Sequence, residues 1–247
     1  MLTLDTRTDL EYALHQGTAT RFSIEDIVAS STAMLGLPKD LRRGDEAPNL
    51  PALNSRLLRQ ISADLQTLLT DITDLAWLVN NVNAKHGPNL SGFPFHDNLL
   101  LLGYRLIYTS PLGGPRPVSQ VENVVHLGLT AFVITFLRGF DRKLPDIRIL
   151  SDLTRSAAQG NFDDKQENQE LLLWILFIGA TSIFREPDDA WLVPKTIQAI
   201  HALDICTWDD LVRTLMIFPW VNTIHDEAGQ ALWHRSTSII DFYPKLP

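Results

Sequence analysis

His225-Asp226-Glu227 sets an imidazole beside two carboxylates in an otherwise apolar stretch. An unperturbed imidazole titrates near 6.5, so His225 is a candidate general acid or base at neutral pH, with Asp226 or Glu227 orienting a substrate. Adjacent residues on a helix point about 100° apart, so the three cannot all face one pocket. Helix entry and packing is therefore the competing role, with Asp226 and Glu227 favourable near a helix N-terminus. His126 and Tyr104 lie within apolar helical patterns and complete the candidates for proton transfer in a dry cavity. His96, Tyr104, Arg105, Trp174, Trp220 and His225 are the candidates for lining a ligand cavity, the polar groups fixing orientation and the indoles offering flat apolar walls. For each tryptophan taken singly, the core is the expected place.

No metal and no cofactor is expected, because a metal needs several ligands converging in space. His96-Asp97 and His225-Asp226 invite comparison with all-helical metal phosphohydrolases, but they follow no recognisable spacing rule. Asp163-Asp164-Lys165-Gln166-Glu167 is similar to the motif with which terpene cyclases hold magnesium diphosphate. Without a second metal motif, its aspartates and Asn161 are expected to cap the helix that follows. The Gly113-Gly114 pair lacks the lysine and hydroxyl residue of a nucleotide P-loop. Cys206 is the only cysteine, which excludes a disulfide framework and a cysteine-based zinc cluster within these residues. With no basic neighbour in sequence to activate it, Cys206 is expected as a buried filler.

A chain of 247 residues with 45% hydrophobic content supplies the core of one large domain, and no low-complexity linker divides it. The net charge of −8 repels phosphate backbones, so direct nucleic-acid binding is not expected. Met1-Leu2-Thr3-Leu4-Asp5 lacks the basic start and continuous apolar core of a signal peptide, which points to an intracellular protein, cytoplasmic or nuclear, without membrane insertion.

These residues must be positioned by helices, since no stretch alternates with period two for long enough to make a strand. Residues 1–50 read as an N-terminal arm with helical turns around Leu10 to Leu14 and a helix from Ile24 to Met34 capped by Ser23 with Asp26. Residues 51–247 read as an all-helical domain. From Leu53 to Val82 apolar residues step by three or four, predicting one amphipathic helix of about 45 Å that crosses the body or forms the seam of a homodimer. Asp97 or Asn98 is expected to cap a helix from Leu99 to Tyr108, followed by helices over Val118 to Phe140 and Leu144 to Ala158. Leu171 to Ile178 has no polar face, yet it is far shorter than the roughly 20 residues that span a bilayer. It predicts a wrapped helix running to Phe184. Pro194 must kink the next segment or start a new helix. Thr207 and Asp210 form a capping box for Trp208 to Phe218, Pro219 stops that helix, and Val221 to Ile240 forms the last. The expected fold is all-α: a single domain of about eight to ten helices around one central, fully buried helix.

The succession Trp191-Leu192-Val193-Pro194, Thr207-Trp208-Asp209-Asp210-Leu211-Val212, Phe218-Pro219-Trp220 and His225-Asp226-Glu227-Ala228-Gly229-Gln230-Ala231-Leu232-Trp233 resembles the C-terminal part of the fungal-specific transcription factor domain. That is the regulatory region downstream of the binuclear zinc-cluster head. The likeness spans about residues 166 to 235, is thinner over Leu99 to Phe140 and is absent before residue 50. It implies the fold, and with the cysteine deficit it implies a stand-alone regulatory domain that binds a small hydrophobic molecule or a partner protein without a DNA-binding head. The alternative is an enzyme built on the same shell, cyclising or isomerising a secondary metabolite by acid/base chemistry through His225, His126 and Tyr104.

Overall fold

The computed structural model describes residues 2–30, 56–82, 94–140 and 146–242. In chain order its helices are α1 (Leu2–Gln16), α2 (Ile24–Ser30), α3 (Ala63–Asn81), α4 (Phe95–Thr109), α5 (Gln120–Phe140), α6 (Arg148–Ala158), α7 (Gln166–Ser182), α8 (Asp189–Ala202), α9 (Trp208–Leu215) and α10 (Asn222–Phe242). A 3-10 turn, Glu186–Asp188, leads into α8. No strand occurs among the described residues, and the fold is all-α.

Helix α7 is the centre. All eight side chains from Leu171 to Ile178 are at most 2% exposed. A helix that is hydrophobic all round needs cover all round, and α5, α6, α8, α9 and α10 provide it. Each such side chain contributes about 1.5–3 kcal/mol of transfer free energy, so this one helix anchors five others. Helix α5 is the second layer's axis, packed on α7 on one side and on α3 and α4 on another. That double burial explains why Gln120–Leu137 is apolar enough to cross a membrane by composition while 78% of it is buried within the chain. Helices α1 and α2 lie against α4. Leu10, Ala13 and Leu14 are buried, so this part of the N-terminal arm belongs to the core.

Several sequence expectations are corrected. The helix from Leu53 to Val82 is interrupted: Ile61 N–H closes a turn on the Leu58 carbonyl, and Ser62, with extended backbone, begins the 19-residue α3. Glu122 of α5 accepts the Ser62 N–H at 3.1 Å. The apolar spacing runs through the break because Leu57, Ile61 and Leu65 all face the same core, so periodicity alone does not reveal it. Leu65 and Ile72 are fully buried inside the chain, and the α3 stripe is core rather than a dimer seam. Helix α4 starts at Phe95, with Pro94 at the N-cap and no side-chain cap, so His96, Asp97 and Asn98 lie in its first turn. Pro194 does not start a new helix but lies inside α8. It is exposed, as is Ala190, the residue whose carbonyl loses its helical donor to the proline. Helix α9 ends at Leu215, three residues before the expected Phe218. The capping box holds: Thr207 Oγ1 accepts from the Asp210 N–H at 3.1 Å. The Ser23–Asp26 pair also caps α2 as expected, with the Asp26 N–H reaching Ser23 Oγ at 3.1 Å. The positions beyond Ser30 to which that helix was expected to run lie outside the described residues.

Candidate functional site

The tryptophan-rich C-terminal pattern closes into one knot. Gly128 of α5 leaves room for Trp174: a Cβ there would lie 2.2 Å from the indole Cζ3. The Trp174 ring stacks on Phe218 at 5.1 Å, and its Nε1 donates to the Pro219 carbonyl at 3.1 Å. Trp220 Nε1 donates to Asp226 Oδ1 at 2.8 Å. Asn80 of α3 clamps the same turn, donating to the Trp220 carbonyl at 2.8 Å and accepting the Asn222 N–H at 3.0 Å. Within this knot His225 is fully buried, between the rings of Trp220 at 4.9 Å and Phe132 at 5.5 Å. Its Nδ1 accepts the Val221 N–H at 2.9 Å, so the neutral ring carries its proton on Nε2, which has no hydrogen-bond partner. Burial lowers its pKa to about 3. Asp226 is bound to Trp220 and Glu227 is exposed, so the three polar residues point to three different places.

The remaining candidates are equally tied down. His126 is fully buried, with Nε2 at 2.9 Å from the Leu106 carbonyl and Nδ1 at 2.9 Å from the Arg116 guanidinium. Arg116 is a permanent donor, so His126 accepts at Nδ1 and donates from Nε2. Burial lowers its pKa to about 4, and the Arg116 charge adds to this while Glu122 opposes it. Tyr104 donates to Asp9 Oδ2 and the Thr6 carbonyl, both at 2.9 Å, while the same carboxylate holds the Arg21 and Phe22 N–H groups. Desolvation, then the bonded and charged Asp9, push the phenol well above its ordinary range. Arg105 pairs with Asp71 at 2.6 Å. His96 lies 3.8 Å from Asp97 on the partly exposed first turn of α4. His225, Trp220 and Trp174 thus share one packed knot, Tyr104 and Arg105 bind separate neighbours, and each of the five serves an intramolecular contact.

Two open clefts flank α8 instead. The first, of about 440 Å³, is lined by Ala180, Phe184, Arg185, Glu186, Asp189, Leu192 and Arg235. Its cations are occupied: Arg235 Nε lies 3.1 Å from Asp189, and Arg185 pairs with Asp146 at 2.5 Å. The buried Asp188 beside it accepts from the Arg185 N–H, the Trp191 indole and Arg155, and these hydrogen bonds and the Arg155 charge outweigh desolvation to hold its carboxyl below the usual range.

The second cleft, of about 420 Å³, lies between the end of α8 and the middle of α10 and is lined by Ile200, His201, Asp204, Ile205, Cys206, Trp233 and Thr237. Its floor follows from how α8 ends. The Ile205 N–H reaches the Ile200 carbonyl at 3.1 Å and the Asp204 N–H reaches that of His201 at 3.2 Å, the paired bonds of a Schellman motif. The two isoleucines are buried and supply the apolar part of the lining. The motif requires a left-handed residue, and Asp204, at φ 52°, is the one non-glycine residue with positive φ among those described. A side chain there costs about 1–2 kcal/mol that glycine would avoid. Among the described residues nothing pairs with the Asp204 carboxylate, and nothing accepts from the Trp233 indole. Cys206 is exposed, not the expected buried filler, because it follows the last buried residue of the motif.

Sequence reasoning singled out Trp233 and Cys206 without joining them, and it missed Ile200, His201, Asp204, Ile205 and Thr237. The usable signal was Leu203-Asp204-Ile205, an aspartate where a helix C-terminus usually carries glycine. Among the described residues no three histidine, cysteine, aspartate or glutamate side chains are placed to hold a metal. Asp163 is bound by Lys165 and Asn168, and Lys165 at the N-cap of α7 receives no side-chain cap, so the expected capping by the aspartates does not form. Compared with protein-family models, curated proteins and solved structures, the chain matches none.

Proposed function

We propose that this chain is a ligand-binding regulatory module of the kind its tryptophan pattern suggests, a relative of the fungal-specific transcription factor domain acting without a zinc-cluster head. Its ligand is a small molecule with an apolar body, seated in the cleft between Asp204 and Trp233. The observation that carries this reading is a contrast in satisfaction. His225, His126 and Tyr104 are buried: His126 and Tyr104 use their polar atoms on the chain's own groups, and His225 gives Nδ1 to the Val221 N–H and keeps its Nε2 proton enclosed between aromatic rings. The cleft at the end of α8 is open, is of ligand-binding size and carries the Asp204 carboxylate and the Trp233 indole, which have no protein partner among the described residues. A general base must reach its substrate's proton, and three sealed residues favour binding over acid/base catalysis.

The test is a screen of neutral, cationic and anionic fragments against the full chain, followed by backbone amide and indole resonances. Hits are expected to shift residues 200–206 and the Trp233 indole. Hits confined to the surroundings of His225 and His126, or a fragment chemically converted by the chain, overturn the reading in favour of an enzyme.

A further inference from the structure

The two clefts beside α8 differ in charge. In the first, two guanidinium groups and two carboxylates share the lining, and the cations already hold protein carboxylates. In the second, among the described residues, Asp204 is the only carboxylate, His201 is the only basic side chain, and no lysine or arginine contributes. We propose that this second cleft selects organic amines: a protonated nitrogen sits against the Asp204 carboxylate and an apolar or aromatic body lies on Ile200, Ile205 and Trp233. The inference rests on the binding reading above and deepens it by naming the ligand class.

Four features support a cation rather than an anion or a neutral molecule. Asp204 has no cationic partner among the described residues, so its charge is available to a ligand. Trp233, a cleft wall only 9% exposed, presents the ring type that attracts cations most strongly. The whole chain carries a net charge of −8, which raises the local concentration of cations and repels anions. Thr237 spends its hydroxyl proton on the Trp233 carbonyl at 3.0 Å and so faces a ligand as an acceptor, which suits an ammonium donor. The backbone adds a separate argument: the carboxylate is kept at a left-handed position that glycine would occupy with less strain.

The experiment titrates the full chain with 2-phenylethylamine, the neutral 2-phenylethanol and the anionic 3-phenylpropanoate, following the amides of residues 200–206 and the Trp233 indole. The amine is expected to bind about tenfold or more tightly than the alcohol, and the acid least, with the preference shrinking as salt rises. Asp204→Asn removes the charge and is expected to cancel the preference for the amine over the alcohol. Asp204→Gly should do the same while melting no earlier than wild type, because it relieves the positive φ, so lost binding cannot be ascribed to lost fold. Equal binding of amine and alcohol, or unchanged amine affinity in both variants, overturns the amine inference and leaves the binding module standing. Silence of the cleft resonances toward all three probes also overturns it, and the broader fragment screen then decides the module separately.

Discussion

Acid should unfold this protein through two buried histidines. His225 and His126 have pKa values lowered to about 3 and about 4 by burial, against an ordinary value near 6.5 in the unfolded chain. The unfolded state therefore takes up two protons, between pH 6.5 and about 4, that the folded state refuses. The stability these rings contribute is complete above pH 6.5 and is lost as pH falls toward their folded values. The structural reason is specific. A proton on His225 Nδ1 would face the Val221 N–H, and one on His126 Nδ1 would face the Arg116 guanidinium. Integrated from pH 7 to pH 5, each histidine costs about 2 kcal/mol and the pair about 4 kcal/mol. With a urea slope of about 2 kcal/mol/M, the midpoint should fall by about 2 M, at constant slope. Urea melts followed by far-UV circular dichroism at half-unit pH steps measure this directly. His225→Phe keeps a buried ring and loses the Val221 acceptor, so it should cost about 1–3 kcal/mol at pH 7 while halving the pH-dependent loss. His126→Gln should halve it likewise. A wild-type midpoint that does not move between pH 7 and pH 5, or a His225→Phe variant with the wild-type pH slope, refutes the assignment of both rings as buried and neutral.

Three other outcomes are expected. Gly128→Ala should destabilise by about 3 kcal/mol and alter the near-UV circular dichroism, because the added methyl meets an indole that is itself stacked and hydrogen-bonded; an unshifted melt would show that Trp174 does not rest on Gly128. Burial holds the Glu170 carboxyl above its usual range despite a 2.7 Å bond from Gln166, and its Oε2 has no partner. The folded state therefore keeps this proton to higher pH than the unfolded state, and Glu170→Gln should be the more stable protein at pH 8, by about 1 kcal/mol, with the advantage vanishing toward pH 4 in paired melts. Thr207→Ala should cost about 1 kcal/mol in urea melts through the lost α9 cap, and Thr207→Ser should restore most of it.

The parts of this fold visible in the sequence are those whose signal is local. Leu171 to Ile178 could not be read as anything but enclosed, and Thr207 with Asp210 could not begin a helix elsewhere, because each depends on residues within one or two turns. The break at Ser62 and the continuity through Pro194 escaped for the opposite reason. Ser62 is held by Glu122, sixty residues away, and Pro194 sits in an exposed part of α8, where Ala190 is exposed as well. The candidate residues escaped in the same way: His126 is locked by Leu106 and Arg116, and Tyr104 by Thr6 and Asp9, partners that no spacing rule connects to them.

A helical core this apolar makes polar residues ambiguous in one direction. Every helix end leaves amide and carbonyl groups that must find partners, and where the ends are buried the partners are the same residue types that perform catalysis. Val221 precedes α10 and its N–H is taken by His225; the Leu106 carbonyl belongs to the last turn of α4 and is taken by His126. His225 thus answers a demand created by a helix terminus inside the protein, whereas His126 adds a second donor to a Leu106 carbonyl that already accepts the Ser110 N–H. Asp204 is the converse. It occupies a helix terminus whose groups the backbone already satisfies, and its carboxylate takes no part in that satisfaction. Asp204 is exposed at that terminus, and among the described residues its carboxylate has no protein partner, which is why the proposed ligand site is built on it.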